Sequence, residues 1–299
     1  MNDPRGPWAA GEPDSRGRRR ALILRRSPGG LAGLVLVGLV AAMAIAAPFL
    51  SPHDPAAQNI ANRLQPPFWD QSGSFQHPLG TDSVGRDILS RVLYGSRISL
   101  VVGLTATVAS GLLGVSMGLV AGYLGGSSDS VISRVGDVQQ AIPFLVLAIA
   151  VAAMLGPGLV NLLLVLVLTT WVMFFRVVRG EVLSVREEPY VLSARAIGCT
   201  HGRIMLRYIL PNVAASIIVI ATLLVASMII FEASLSFLGL GVPAEVPTWG
   251  RIVADGREYV ASEWWIAFFP GLAILITVMG FNLLGDWLRE ALDPRQRNG

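Results

Sequence analysis

The sequence predicts an all-α integral membrane protein that crosses the bilayer six times. Only 14% of its 299 residues are charged, against about a quarter in an average soluble domain. The charges are also segregated, leaving uncharged blocks at 27–52, 98–128, 138–175, 208–231 and 264–285. About 20 apolar residues cross a bilayer as a helix. Block 138–175 is long enough for two crossings, with Gly156-Pro157-Gly158 as the tight turn between them.

Residues 1–28 are rich in Pro, Gly, Asp and Arg and read as a disordered tail. The first span, 29–50, follows Arg16, Arg18, Arg19, Arg20, Arg25 and Arg26, which places that end in the cytoplasm. Its apolar stretch is longer than the core of a cleaved signal peptide, roughly 7–15 residues. Six crossings return the tail 291–299, with Arg295 and Arg297, to the cytoplasm. The same parity puts 176–207, with six arginines, inside, and puts 51–97 and 236–263 outside. All 23 basic residues are arginine, and the net charge of +3 is modest, so no nucleic-acid partner is expected.

In the outer segment 51–97, Asp82 or Ser83 is placed to cap a helix. Ile88, Leu89, Val92 and Leu93 then lie opposite Arg86, Asp87, Ser90 and Arg91, which predicts a short amphipathic helix along the outer surface. The second span carries small residues every fourth position: Ala106, Ser110, Gly114, Gly118, Gly122 and Gly126. These line one face and admit a close neighbour, either another span or another subunit.

Segment 190–212, YVLSARAIGCTHGRIMLRYILPN, breaks the apolar pattern. Leu192, Ala196 and Ile197 share a helical face, Gly198 supplies a left-handed helix end, and Thr200 can cap a second helix near His201. Pro211 then stands at the start of the fifth span, where proline is tolerated. The result is a compact basic helix–turn–helix on the cytoplasmic side.

Glu232 closes the fifth span. A carboxylate there is a functional candidate by default, or else it reaches water or an arginine. No other carboxylate falls within a span, which argues against an ion-coupled carrier. The outer loop 236–263 is rich in Gly, Pro and Trp; Trp249, like Trp264 and Trp265 just beyond, suits the bilayer interface or a substrate or partner contact. His53, His77 and His201 fall on both sides of the membrane, and with one cysteine, Cys199, they do not suggest a metal site. No phosphate-binding loop, nucleophile elbow or His-Glu-x-x-His is present, so no catalytic or cofactor-binding residue is assigned.

The 190–212 segment resembles the EAA motif of ABC-importer permeases, E-A-A-x3-G-x9-I-x-L-P. Gly198 matches the glycine, Leu210 and Pro211 the L-P, and Ala194 the second alanine; Leu192 replaces the glutamate, Ser193 the first alanine and Tyr208 the isoleucine. Three further stretches, HPLGTDSVGRDILSRVLYGSRISL (77–100), EASLSFLGLGVPAEVPTWG (232–250) and GDWLREALDPR (285–295), resemble the C-type permease subunits of dipeptide/oligopeptide importers.

The resemblance implies a type I importer permease whose core spans 98–290, with both termini cytoplasmic and a coupling segment at 186–210. It implies Ser193, Ala194, Gly198, Arg203, Leu210 and Pro211 as residues that couple to an ATPase. Glu232 and Trp249 remain possible contacts for the translocated solute or a partner. The implied partners are a homologous permease completing a heterodimer, two ATPase domains that hold ATP and Mg, an extracytoplasmic binding protein, and the lipid around the spans. The implied substrate is a di- or oligopeptide, with nickel, glutathione or another small solute as the alternative within the family, and an ion-coupled carrier as a remoter one.

Overall fold

The computed structural model describes residues 28–243 and 245–292. The arginine-rich stretch 16–26 and the tail 293–299 lie outside the described residues. The described residues are helical apart from turns and one isolated bridge between Thr81 and Asp87.

The helices are α1 (Pro28–Leu50), α2 (Ile88–Leu124), α3 (Gly126–Ala141), α4 (Phe144–Leu155), α5 (Leu159–Val185), α6 (Pro189–Ala196), α7 (His201–Phe237), α8 (Trp249–Gly256) and α9 (Trp265–Leu292). Five of them, α1, α2, α5, α7 and α9, are long and apolar enough to cross a membrane. α2 packs on α5, α7 and α1; α9 packs on α1 and α7; α8 lies across α7 and α9.

The third crossing differs from its prediction. Its apolar part, α4, is 12 residues, about 18 Å at 1.5 Å per residue and short of a hydrocarbon core of about 30 Å. α3 and α4 meet at a 95° bend and make up a sixth span only together. Pro143 explains the bend. It forces Ile142 out of the helical region, to φ −93° and ψ 126°, and its missing N–H prevents the two helices from fusing. The mostly polar α3 is held to α5 by Asp129–Arg179 (2.7 Å), Asp137–Arg176 (2.9 Å) and the Trp171 indole donating to Gln139 (2.9 Å). The turn at Gly156–Gly158 is where the sequence placed it, with both glycines at positive φ.

A second difference concerns the outer segment. No separate surface helix forms there: Ile88 opens α2 itself, and Asp87, not Asp82 or Ser83, caps it by accepting from the Ser90 N–H. The polar side of this first turn is not solvated. Arg91 is 1% exposed and reaches Asp82 and Asp255. Arg86 bonds the same two carboxylates at 2.6 and 3.0 Å. Asp255 belongs to α8, so this ion cluster fastens the start of α2 to loop 236–263.

The small-residue ladder packs within the chain. Gly114, Gly118 and Gly122 are buried against α5. A Cβ on Gly118 would meet the Val178 Cβ at 2.9 Å and the Phe175 carbonyl at 3.0 Å. Gly126 is not part of the ladder, because Gly125 ends α2 with φ 67°.

Candidate functional site

α2 separates two polar regions. Its first turn meets the loops 51–87 and 236–263, here the loop end. Its last residues meet segment 186–210, here the coupling end.

At the coupling end, α6 begins at Pro189, whose missing N–H costs nothing in a first turn. It closes in a Schellman turn: Gly198 N–H donates to Arg195 O and Cys199 N–H to Ala194 O. Gly198 sits at φ +82°, and a Cβ there would touch nothing within 4 Å. Thr200 stands at the next N-cap in extended geometry, but its side chain makes no cap bond. Pro211 stands in a first helical turn, as expected, but the short helix at His201 does not end before it. The chain runs unbroken from His201 to Phe237 through a π-helical turn, Ile204–Ile209. In that turn Leu210 N–H reaches back to Met205 O, and the Asn212 side chain donates to Tyr208 O at 2.6 Å. The wider turn fits a helix whose next residue, Pro211, has no N–H to give.

The segment has two faces. Val191, Ala194, Ile204 and Ile209 are buried with Leu119, Val178, Val182 and Val213. Leu192, Ile197 and Leu206 are exposed, Ile197 at 78%. The six sequence-assigned residues divide accordingly. Ser193, Gly198, Arg203 and Pro211 are on the exposed side, whereas Ala194 is buried and Leu210 is half-buried. Ala194 and the buried part of Leu210 seat the segment on the spans.

The sequence did not point to Tyr123. Its hydroxyl lies 3.1 Å from His201 Nδ1, and the Arg195 guanidinium sits over its ring at 5.5 Å. Arg186 donates to Gly122 O at 2.9 Å. These contacts tie the segment to the end of α2. No signal in the sequence joins residues so far apart.

At the loop end, Glu232 reaches neither water nor an arginine. It is fully buried and accepts from the Ser236 and Thr248 hydroxyls at 2.7 and 2.8 Å. Trp249 is fully buried, so its ring does not anchor at the bilayer interface. Its indole donates to Val92 O at 3.0 Å, and its backbone N–H to Ser99 Oγ at 3.1 Å. Trp265 is also buried and donates to Thr81 O, whereas Trp264 stays half-exposed. Together these residues lock loop 236–263 onto α2 and α7. His53 and His77, distant in sequence, converge on Asp87.

The arrangement joins a fastened cap at one end of a helical bundle to an exposed apolar tip at the other. Residues 114–298 match the family described as binding-protein-dependent transport system inner membrane component. The chain belongs to this family. Residues 15–67 also match the N-terminal transmembrane domain of oligopeptide transport permease C.

Among similar proteins is the dipeptide transport system permease protein of Alkalihalophilus pseudofirmus, 42% identical over 92% of this chain and 88% of its own. The di/tripeptide permease of Pseudomonas aeruginosa is 40% identical over 90% and 89%. The oligopeptide permease of Bacillus subtilis is 39% identical over 92% and 88%. The chain is thus a membrane-embedded transport permease subunit and not an enzyme.

Proposed function

We propose that this permease forms half of the path of an ATP-driven importer for di- or oligopeptides. It pairs with a homologous permease, seats an ATPase domain on segment 186–210, and meets an extracytoplasmic binding protein at the loop end. Both termini lie in the cytoplasm, and ATP and Mg belong to the ATPase partners.

The observation that carries this reading is the two-faced coupling segment. Its buried face fixes it to α2, α5 and α7, while Leu192, Ile197 and Leu206 present apolar surface beside Arg203. Exposed apolar surface rimmed by polar residues marks a contact with another protein. Leu192 stands where the motif has glutamate, so the contact at that position is apolar in this chain. Push or pull on the tip passes through Ala194, Ile204 and the Tyr123–His201 contact into the spans. Peptide as the cargo is supported by what the relatives named above carry.

The test is uptake of a labelled dipeptide, with co-purification through a C-terminal tag. Gly198→Ala keeps the space free and adds only left-handed strain, about 1–2 kcal/mol; uptake should persist. Gly198→Trp adds bulk on the exposed side; uptake and ATPase recovery should both be lost while membrane insertion is normal. Normal uptake by Gly198→Trp would sink the coupling assignment. Dipeptide uptake that needs no ATPase and collapses with an ionophore would sink the importer.

A further inference from the structure

We propose that His53, His77 and Asp87 form a binding site for a divalent transition-metal ion, zinc above all, at the loop end of α2. One donor atom from each residue lies within 4.8 Å of the other two. They come from three separate stretches: the chain just after α1, the loop before α2, and the N-cap of α2. Two imidazoles and a carboxylate suit zinc, which takes nitrogen and oxygen ligands together; magnesium and calcium prefer oxygen alone.

The spacing fits. With bonds of about 2.0–2.1 Å, the donors around a tetrahedral zinc lie roughly 3.3 Å apart. His77 Nδ1 lies 3.0 Å from Asp87 Oδ1, and His53 Nδ1 lies 3.9 Å from the same oxygen. The two rings are 4.6 Å apart, tilted by 30°. His53 is the member with room to adjust, its side chain 39% exposed while that of Asp87 is fully buried. That exposed side also gives the ion a way in and leaves a fourth position for water.

The residues behind the ligands are already placed. Asp87 Oδ2 accepts from Ser90 N–H and Ser90 Oγ, both at 2.7 Å, which orients Oδ1 toward the histidines. His53 N–H donates to Ser90 Oγ at 3.1 Å, so one serine positions two of the three ligands. The Asn62 amide nitrogen sits 3.4 Å from His77 Nε2; rotating that amide by 180° would bring its oxygen there to accept from Nε2–H and fix the tautomer that offers Nδ1 to a metal. A His77–Asp87 hydrogen bond alone would close the loop without His53, whose ring nitrogen faces the same carboxylate oxygen. The bound ion would cross-link the exit of α1, the outer loop and the start of α2.

The experiment uses the whole tagged transport complex, stripped with a chelator and dialysed against micromolar zinc sulfate. Bound zinc is counted by elemental analysis in wild type, in His53→Ala, and in His201→Ala at the other end of α2. Losing even an outer-shell partner of a metal ligand costs 10–100-fold in affinity, so losing His53 should cost about 100-fold or more. Wild type and His201→Ala should hold one more zinc than His53→Ala. A melting temperature that rises with zinc in wild type and not in His53→Ala is the second readout, and His77→Gln should behave as His53→Ala does. Equal zinc in wild type and His53→Ala, or no zinc in either, overturns the proposal.

Discussion

Replacing Trp249 separates a structural keystone from a solute contact. The ring is wholly buried against Gly95, Ile252 and Val92, and its indole N–H is committed to Val92 O. Trp249→Phe removes one hydrogen bond, about 1 kcal/mol. It also leaves roughly 40 Å³ unfilled, which at about 24 cal/mol per Å³ adds about 1 kcal/mol. The sum is about 2 kcal/mol, and Trp249→Ala should cost about 3–5 kcal/mol. At about 2 °C per kcal/mol for a chain of this size, the melting temperature should fall by about 4 °C and about 6–10 °C. The assay is thermal melting of the detergent-solubilised complex, beside dipeptide uptake normalised to folded protein. Uptake per folded molecule should stay near wild type in the phenylalanine variant. A Trp249→Ala protein that melts like wild type but has lost uptake would refute the argument, because the ring would then be touching solute or binding protein.

Glu232→Gln keeps the oxygen that accepts from Ser236 and Thr248 and should retain most uptake, whereas Glu232→Ala should loosen the outer loop and raise its protease sensitivity. Loss of uptake in a stable Glu232→Gln protein would mean that the charge itself is used. Gly118→Leu should block the close approach of α2 to α5, where even a Cβ would lie only 2.9 Å from the Val178 Cβ. It should sharply lower the amount of folded protein in the membrane, and normal levels would contradict the packing. Arg91→Ala leaves Asp82 and Asp255 short of one cation. Arg86 still pairs with both, so the loss should be about 3 kcal/mol, the low end for a broken buried pair, and an unchanged melting curve would refute it.

The spans were readable in the sequence because apolar length is a local property. So was the end of α6, because Gly198 is the only residue there that adopts a left-handed turn without strain, and so was the turn at Gly156–Gly158. The spacing of the EAA-like segment was readable too, with its helix end at Gly198. The inward direction of Ala194 and Leu210 was not, since it depends on which spans lie behind them.

The errors share a cause. Alternation in 86–93 marks a helix with two chemically different faces, but it cannot say whether the charged face meets water or a carboxylate from far along the chain. Asp255 made the difference. The same applies to Trp249, whose buried place requires Val92 and Ser99, and to Glu232, whose partner Thr248 comes from the following loop. The broken third span was half visible, because Pro143 stops a helix from sequence alone. That the polar α3 packs back on α5 needed Arg176, Arg179 and Trp171.

By itself the sequence determined the membrane-spanning class, the approximate spans and the spacing of the EAA-like motif, because each rests on composition or spacing within a few helical turns. Only the tertiary structure decided which charges are buried, that the small-residue ladder packs inside the chain, and that two histidines and an aspartate converge at the loop end. Those facts depend on side chains from distant segments meeting in a low-dielectric interior, where a partner in space, not a neighbour in sequence, fixes what a polar group can do.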